Sequence, residues 1–406
     1  MVARDRYIYK KGKIYKENGR KPLKYVKLEG CHNNYQITTN GKIKAFLKQS
    51  EGRSDYADVI SKDICDALNI KCADCELVYL QDFPQLEEKE LMTFEEYVDY
   101  CKSHFTVSDE NKLKQYYDDY SKEFEKQRTK TAVLSYDYQS QEPYKSASII
   151  RLSELVDAYS ELTGGNGTYA IETYVKMAQE LCNPKSKIGK KLRKKFKLKN
   201  NIQLSQFLDL DFKKIALLGY TTCQMDMRSH NIHLAVIKTS KGYELEIAPL
   251  FDNGESFNLS SIYEDVHTSK TDVDITNLGS NSYGNPLTLT EDVTIDGTEQ
   301  LTSLAQEIIS NPELAKYYDA LRWLDIESIC DKENVGEENF DIVKHCVVSI
   351  FNERINLLQQ EVQRLQQKEK SSEINETHIQ TNNQIVAQQF ETNDTLVQKD
   401  EIELSL

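Results

Sequence analysis

Between Thr221 and Phe257, apolar and polar positions sort into a loop, two facing strands and a second loop. Ile232, Leu234, Val236 and Ile237 form an apolar, mostly β-branched run. Lys238 to Gly242 is polar and ends on glycine, and Leu245 to Leu250 runs back before Phe251-Asp252-Asn253-Gly254 breaks the strand. This pattern predicts a β-hairpin. Upstream, Tyr7–Tyr9, Tyr25–Leu28, Tyr35–Thr38 and Lys42–Lys48 read as short strands, the last two joined by an Asn40-Gly41 turn. Ala57, Ile60, Ile64 and Leu68 recur at helical spacing and predict a helix over 54–69. Glu76–Leu80 and Thr131–Ser135 read as strands. The stretch between them, 84–130, is charged and helical in period, with Thr93 and Glu96 spaced as a capping box. From Ile149 onward the period is helical, with helices expected around 152–159, 169–182, 203–219 and through 299–368.

Strands first and helices after predict an α+β chain of two lobes. The small lobe is β-rich, spans 1–143 and carries a helical insertion at about 84–130. The larger, mainly helical lobe spans 144–368. Residues 369–406 are rich in Gln, Asn and Glu, lack apolar period, and read as a disordered tail.

Composition narrows the class. Charged residues make up 29% and hydrophobic ones 39%, the balance of a soluble globular chain. A net charge of −14 argues against broad nucleic-acid binding. Lys185–Lys199 is the one basic run; a solvated helix surface is the plain reading, and docking of an acidic partner or nucleic acid the sharper one. No apolar run approaches membrane-helix length, and the polar, basic start is not a signal peptide. Nine cysteines at irregular spacing imply reduced thiols and a cytoplasmic protein. Cys72 and Cys75 form a C-x-x-C without a second zinc-type pair, so core thiols are expected there.

The hairpin carries the candidate chemistry. Antiparallel arms bring their outer ends to roughly 5 Å of each other. Asn231 opens one arm, Asp252 closes the other, and Asp226 lies one short loop away. Two carboxylates and an amide oxygen around one point make a hard, oxygen-only site suited to Mg²⁺ shared with substrate phosphates. A phosphotransferase needs that set: Asp226 at the attacking hydroxyl, Asn231 and Asp252 on the metal. An Asp and an Asn five apart are common by chance; the hairpin context makes the pair informative.

Ala248-Pro-Leu-Phe-Asp-Asn-Gly-Glu-Ser-Phe257 and the Asp226-to-Asn231 loop resemble the HipA-type Ser/Thr kinases, first known as toxins of bacterial toxin–antitoxin pairs. The resemblance implies a bilobal kinase-like fold, ATP and Mg²⁺, a protein Ser/Thr substrate and an antitoxin-type partner. It implies that the loop Gly30-Cys31-His32-Asn33-Asn34 covers the nucleotide phosphates and that Lys48 pairs with them. It implies Asp58, where the family usually has Glu, as the partner of Lys48, with Asp63 as the alternative. It places the adenine ring against a hinge at Ser135, Tyr136 and Asp137. Arg228 stands where the family usually has His, and His230 sits just before Asn231. The Ser-, Thr- and Gly-rich stretch 253–300 falls where an activation segment would lie. Two other readings stay open: a pseudokinase acting through partners, and a kinase of lipid or small-molecule hydroxyls.

Overall fold

The computed structural model describes residues 7–10, 13–16, 24–28, 33–40, 42–49, 54–79, 92–104, 110–127, 131–164, 170–224, 227, 229–254, 256–259, 297–334, 336, 340–341 and 343–371. A short hairpin of β1 (Tyr7–Lys10) and β2 (Lys13–Lys16) precedes an antiparallel five-stranded sheet. That sheet holds β3 (Lys24–Lys27), β4 (Asn33–Thr39), β5 (Lys42–Gln49), β6 (Cys75–Tyr79) and β7 (Thr131–Tyr136) in the order β3-β4-β5-β7-β6. Period-two alternation gives it one buried face of Tyr35, Ile37, Ala45, Leu47, Ala132 and Leu134. Lys48 falls out of phase with that set, opposite Asn34 on one side and Val133 on the other.

Helix α1 (Ser54–Ala67) follows β5 and packs on β6 and β7, burying Tyr56, Ala57, Val59, Ile60 and Ile64. Just beyond its end, Asn69 takes a left-handed φ of 56° and lets Ile70 N–H reach back to Cys65 O at 2.8 Å. The reversed chain then straps onto the hairpin's exit: Leu250 N–H donates to Lys71 O at 2.9 Å, and Ala73 N–H to Leu250 O at 2.7 Å. Between β6 and β7 lie α2 (Phe94–His104) and α3 (Glu110–Gln127), the helical insertion. Its capping box forms, with Thr93 N–H to Glu96 Oε2 at 2.8 Å and Glu96 N–H to Thr93 Oγ1 at 3.3 Å. Tyr97 stacks on Tyr120 at 4.9 Å to hold the two helices together.

The remainder is mainly helical around a second sheet, ordered β8-β10-β11-β9. β8 (Ser148–Arg151) leads into α4 (Leu152–Thr163), α5 (Ile171–Cys182) and α6 (Lys187–Lys195). β9 (Ile202–Leu204) precedes α7 (Leu208–Thr221), and β10 (His233–Thr239) and β11 (Gly242–Ile247) form the predicted hairpin. Two sequence expectations fail here. Residues 149–151 and 203–204 are strands, not helix starts, because each borders an edge of the hairpin and ladder pairing overrides the weak local period. α6 is held by buried Leu192 and Arg193, the latter donating to Leu181 O at 2.6 Å, and turns its lysines outward. Helices Gly297–Ser310, Pro312–Arg322 and Ile326–Lys332 and a long one through 343–371 complete the core. Residues 369–371, assigned from composition to the tail, continue that helix; 260–296 and 372–406 lie outside the described residues. Among the described residues, no helix is long and apolar enough to cross a membrane.

Tyr138, Tyr144, Ala235 and Ala248 form a small buried cluster with Phe251 packed against it, and the His233 ring lies against Tyr138 and Phe251. His233 is 8% exposed and its Nδ1 is 2.5 Å from the Tyr138 hydroxyl. Burial first, and the Arg151 charge second, push its pKa down to about 4. A depressed histidine contributes stability above its unfolded pKa and loses it as pH falls toward the folded one. Denaturant melts should show about 2 kcal/mol lost between pH 7 and pH 5, a drop that His233→Gln should remove.

Candidate active site

Three separate elements meet at one ammonium group. Lys48 projects from the end of β5, Asp58 from the second turn of α1, and Asp252 from the loop that follows β11. Lys48 Nζ lies 2.7 Å from Asp252 Oδ1 and 3.4 Å from Asp58 Oδ2. The first-turn acid of α1 is Asp55, which accepts from Thr131 Oγ1 at 3.4 Å. Asp63, the alternative partner, turns instead to Lys62 at 3.2 Å and Lys332 at 4.0 Å.

Solvent divides the two carboxylates. The Asp58 side chain is 8% exposed and that of Asp252 is 46%. Burial pushes the Asp58 pKa up; the Lys48 charge and the Asn253 backbone N–H oppose that, and the Asp252 charge adds to it. Burial works to lower the Lys48 pKa, but Asp58 and then Asp252 outweigh it and hold the ammonium above its ordinary range. One cation serves two anions and sits closer to the wetter one, which leaves the drier Asp58 under-compensated.

The tripeptide Asp252-Asn253-Gly254 is shaped to this cluster. Asp252 takes a left-handed φ of 58°, and its carbonyl accepts from Gln224 Nε2 at 3.4 Å. Asn253 is buried; its backbone N–H serves Asp58, and its Nδ2 lies 3.6 Å from Cys72 Sγ. A Cβ at Gly254 would stand 2.7 Å from Lys48 Nζ and 3.2 Å from Asp58 Oδ2, so the lysine head would have to shift to admit one. Reading the sequence did not assign Gly254 or Asn253 a part, although Asp-Asn-Gly at the strand's end was the visible signal.

Asn231 is brought to the same end of the hairpin as Asp252. Leu234 faces Ile247, and Ala248 N–H reaches His233 O at 2.9 Å. Leu152 N–H to Ile232 O at 2.9 Å and Ser153 N–H to Ser229 O at 3.1 Å anchor the loop before it. Asn34 pairs across β4–β5 with Lys48, and its Oδ1 is buried without a hydrogen bond among the described residues. Ser135 lies mid-ladder between Phe46 and Cys75. Tyr136 N–H donates to Asp74 O at 2.7 Å and Asp137 N–H to Lys44 O at 3.0 Å, so both amides are engaged inside the fold. Gly30, Cys31, His32, Asp226 and the side chain of Asn33 lie outside the described residues, as does Arg228; His230 is exposed.

No protein-family model matches the chain, and no curated protein matches it in sequence. Among solved structures it is similar to a proinflammatory kinase, CtkA, of Helicobacter pylori. That match has 13% identity and a TM-score of 0.47, and covers 82% of this chain and 95% of that one. It is also similar to HipA of a Shewanella oneidensis MR-1 toxin–antitoxin system, solved with HipB and operator DNA. There the identity is 10% and the TM-score 0.44, over 84% of this chain and 67% of that one. At these values the site's own geometry carries the reading.

Removing the cation should expose the cost of the buried acid. Lys48→Met leaves Asp58 charged and unpaired, and should destabilise the fold by about 3–5 kcal/mol at neutral pH. A carboxyl with a raised folded pKa gives its stability below the unfolded pKa and loses it as pH rises. The gap to wild type should therefore narrow in urea melts at pH 5 relative to pH 8, and close largely in the Lys48→Met, Asp58→Asn double variant.

Proposed function

We propose that this chain is an ATP-dependent phosphotransferase that passes the γ-phosphoryl group to a Ser/Thr hydroxyl of a protein substrate, in the manner of the HipA-type kinases. One observation carries the reading. A strand lysine, a helix acid and an acid at the hairpin's exit converge within 3.4 Å, although 204 positions separate Lys48 from Asp252. Residues 1–143 and 144–368 serve as the two lobes on either side of this junction.

Asn231 and Asp252 fit a hard divalent cation: their donors are oxygen, they share one end of the hairpin, and the Asp252 carboxylate is half-exposed. They would hold Mg²⁺, which neutralises phosphate charge when bound. Lys48 gives up Asp252 for the α- and β-phosphates and keeps Asp58, which holds its stem in place. Asp226 accepts or orients the proton of the attacking hydroxyl. Positioning and charge neutralisation supply most of the rate gain. The fold is compatible with an antitoxin-type partner and with a cytoplasmic setting.

Purified protein with γ-labelled ATP and mass spectrometry for phosphosites tests this. Asp226→Ala and Asp252→Ala should each lower label transfer on the order of 10²-fold or more. Mg-ATP should raise the melting temperature of wild type but not of Asp252→Ala. Equal labelling by wild type and Asp226→Ala removes that residue from the mechanism. No thermal shift at millimolar nucleotide makes the chain a scaffold instead.

A further inference from the structure

Two stretches of chain connect the five-stranded sheet with the hairpin, and one carboxylate holds both. The first is the strap at 71–73, which pairs with Leu250 and then enters β6. The second runs from the end of β7 at Tyr136 to the start of β8 at Ser148. From the strap, Lys71 Nζ lies 2.8 Å from Oε1 of Glu246, on β11. From the second stretch, the Tyr144 hydroxyl donates to the same oxygen at 2.9 Å. Alternation along β11 explains why an acid can stand there. Leu245 and Ile247 turn into the helical core, so Glu246 between them faces the other side of the sheet. Its register partner there is Ala235, a member of the small cluster with Tyr138 and Tyr144.

We propose that Glu246 is a positioning residue, whose carboxylate clamps both connections onto the hairpin and so fixes Lys48 and Asp58 against Asp252. Two routes lead from it to that cluster. Along the strap, Leu250 N–H donates to Lys71 O at 2.9 Å and Ala73 N–H to Leu250 O at 2.7 Å, two residues before Asp252. Through Tyr144, contacts pass edge-on to Tyr138 at 5.7 Å and from the Tyr138 hydroxyl to His233 Nδ1 at 2.5 Å. The His233 ring then meets Phe251, next to Asp252, at 4.6 Å. The two connections also bond to each other, Tyr136 N–H donating to Asp74 O at 2.7 Å.

The Glu246 side chain is 12% exposed, and a carboxylate that dry requires a counter-charge and a donor. Lys71 is the first and Tyr144 the second. The Lys71 side chain is half-exposed, so its ammonium rehydrates readily once the acid is neutralised, and the ion pair itself adds little stability. What the carboxylate supplies is a fixed relation between two connections that are 73 positions apart. Without it, the strap keeps its backbone bonds but loses its side-chain anchor. The effect on nucleotide rests on the phosphotransferase reading; the clamp does not.

The test compares full-length wild type with Glu246→Gln, which keeps the side chain's shape and removes its charge. Hydrogen exchange read by mass spectrometry should show the peptides carrying Ala73 and Leu250 exchanging about tenfold faster in the variant. Tyr144→Phe and Lys71→Met should each give part of that effect, and neither should add to it in the Glu246→Gln background, since all three act at one oxygen. Mg-ATP should bind Glu246→Gln about tenfold more weakly, while the melting temperature stays within about 3 °C of wild type. Glu361→Gln, at an equally dry carboxylate paired with Arg364, should leave Mg-ATP binding unchanged. If Glu246→Gln does not fold, Lys71→Met carries the same readouts. Unchanged exchange at Ala73 and Leu250, or additive effects of the three substitutions, overturns the clamp. Faster exchange with unchanged Mg-ATP affinity overturns the positioning role. If wild type itself ignores Mg-ATP, the phosphotransferase reading fails and the exchange data still decide the clamp.

Discussion

A single ammonium group shared by two carboxylates is the constraint that the rest of this structure answers to. A charge as buried as that of Asp58 is tolerated only where a counter-charge and hydrogen bonds meet it. Lys48 supplies the first and the Asn253 backbone supplies the second. Each comes from a different element, so β5, α1 and the hairpin's exit must all arrive together. The buried sides of those elements make this possible: α1 is pinned by Tyr56, Ile60 and Ile64, and the hairpin by Leu234, Leu245 and Ile247. Packing places the polar atoms, and the polar atoms restrict which packing is acceptable.

The strap between 71–73 and Leu250 is the other half of that arrangement. It makes the chain after α1 and the chain after β11 a single hydrogen-bonded unit, although they are far apart in sequence. Asp58 at one end of the unit and Asp252 at the other are thereby held in a fixed relation. The close packing of Gly254 on Lys48 belongs to the same logic: the backbone must come near enough for the acid before it to meet the lysine.

Much of this was legible in the sequence, and the boundary of legibility has physical causes. The hairpin, α1 and the capping box of the insertion rest on local signals that tertiary contacts reinforced. The strands at 148–151 and 202–204 were misread because their identity comes from the neighbours they pair with, and not from their own three or four residues. Lys48 and Asp58 were named through a family resemblance, and the structure sets them 3.4 Å apart. The direct contact of Lys48 with Asp252 goes with a left-handed backbone at Asp252 and a glycine two residues on that lies close to the lysine head, which no periodicity encodes. Likewise, the link between Asn253 and Cys72 exists only because Asn69 turns the chain back.

The insertion has a consequence for how this scaffold can be remodelled. Tyr79 and Thr131 are register partners on adjacent strands, so the excursion from 80 to 130 departs and returns at neighbouring points of one ladder. A short two-residue turn spans that gap as readily as fifty residues do. The segment is thus a natural grafting port: it can be trimmed to a hairpin, or exchanged for a reporter module, while the order of the sheet is preserved.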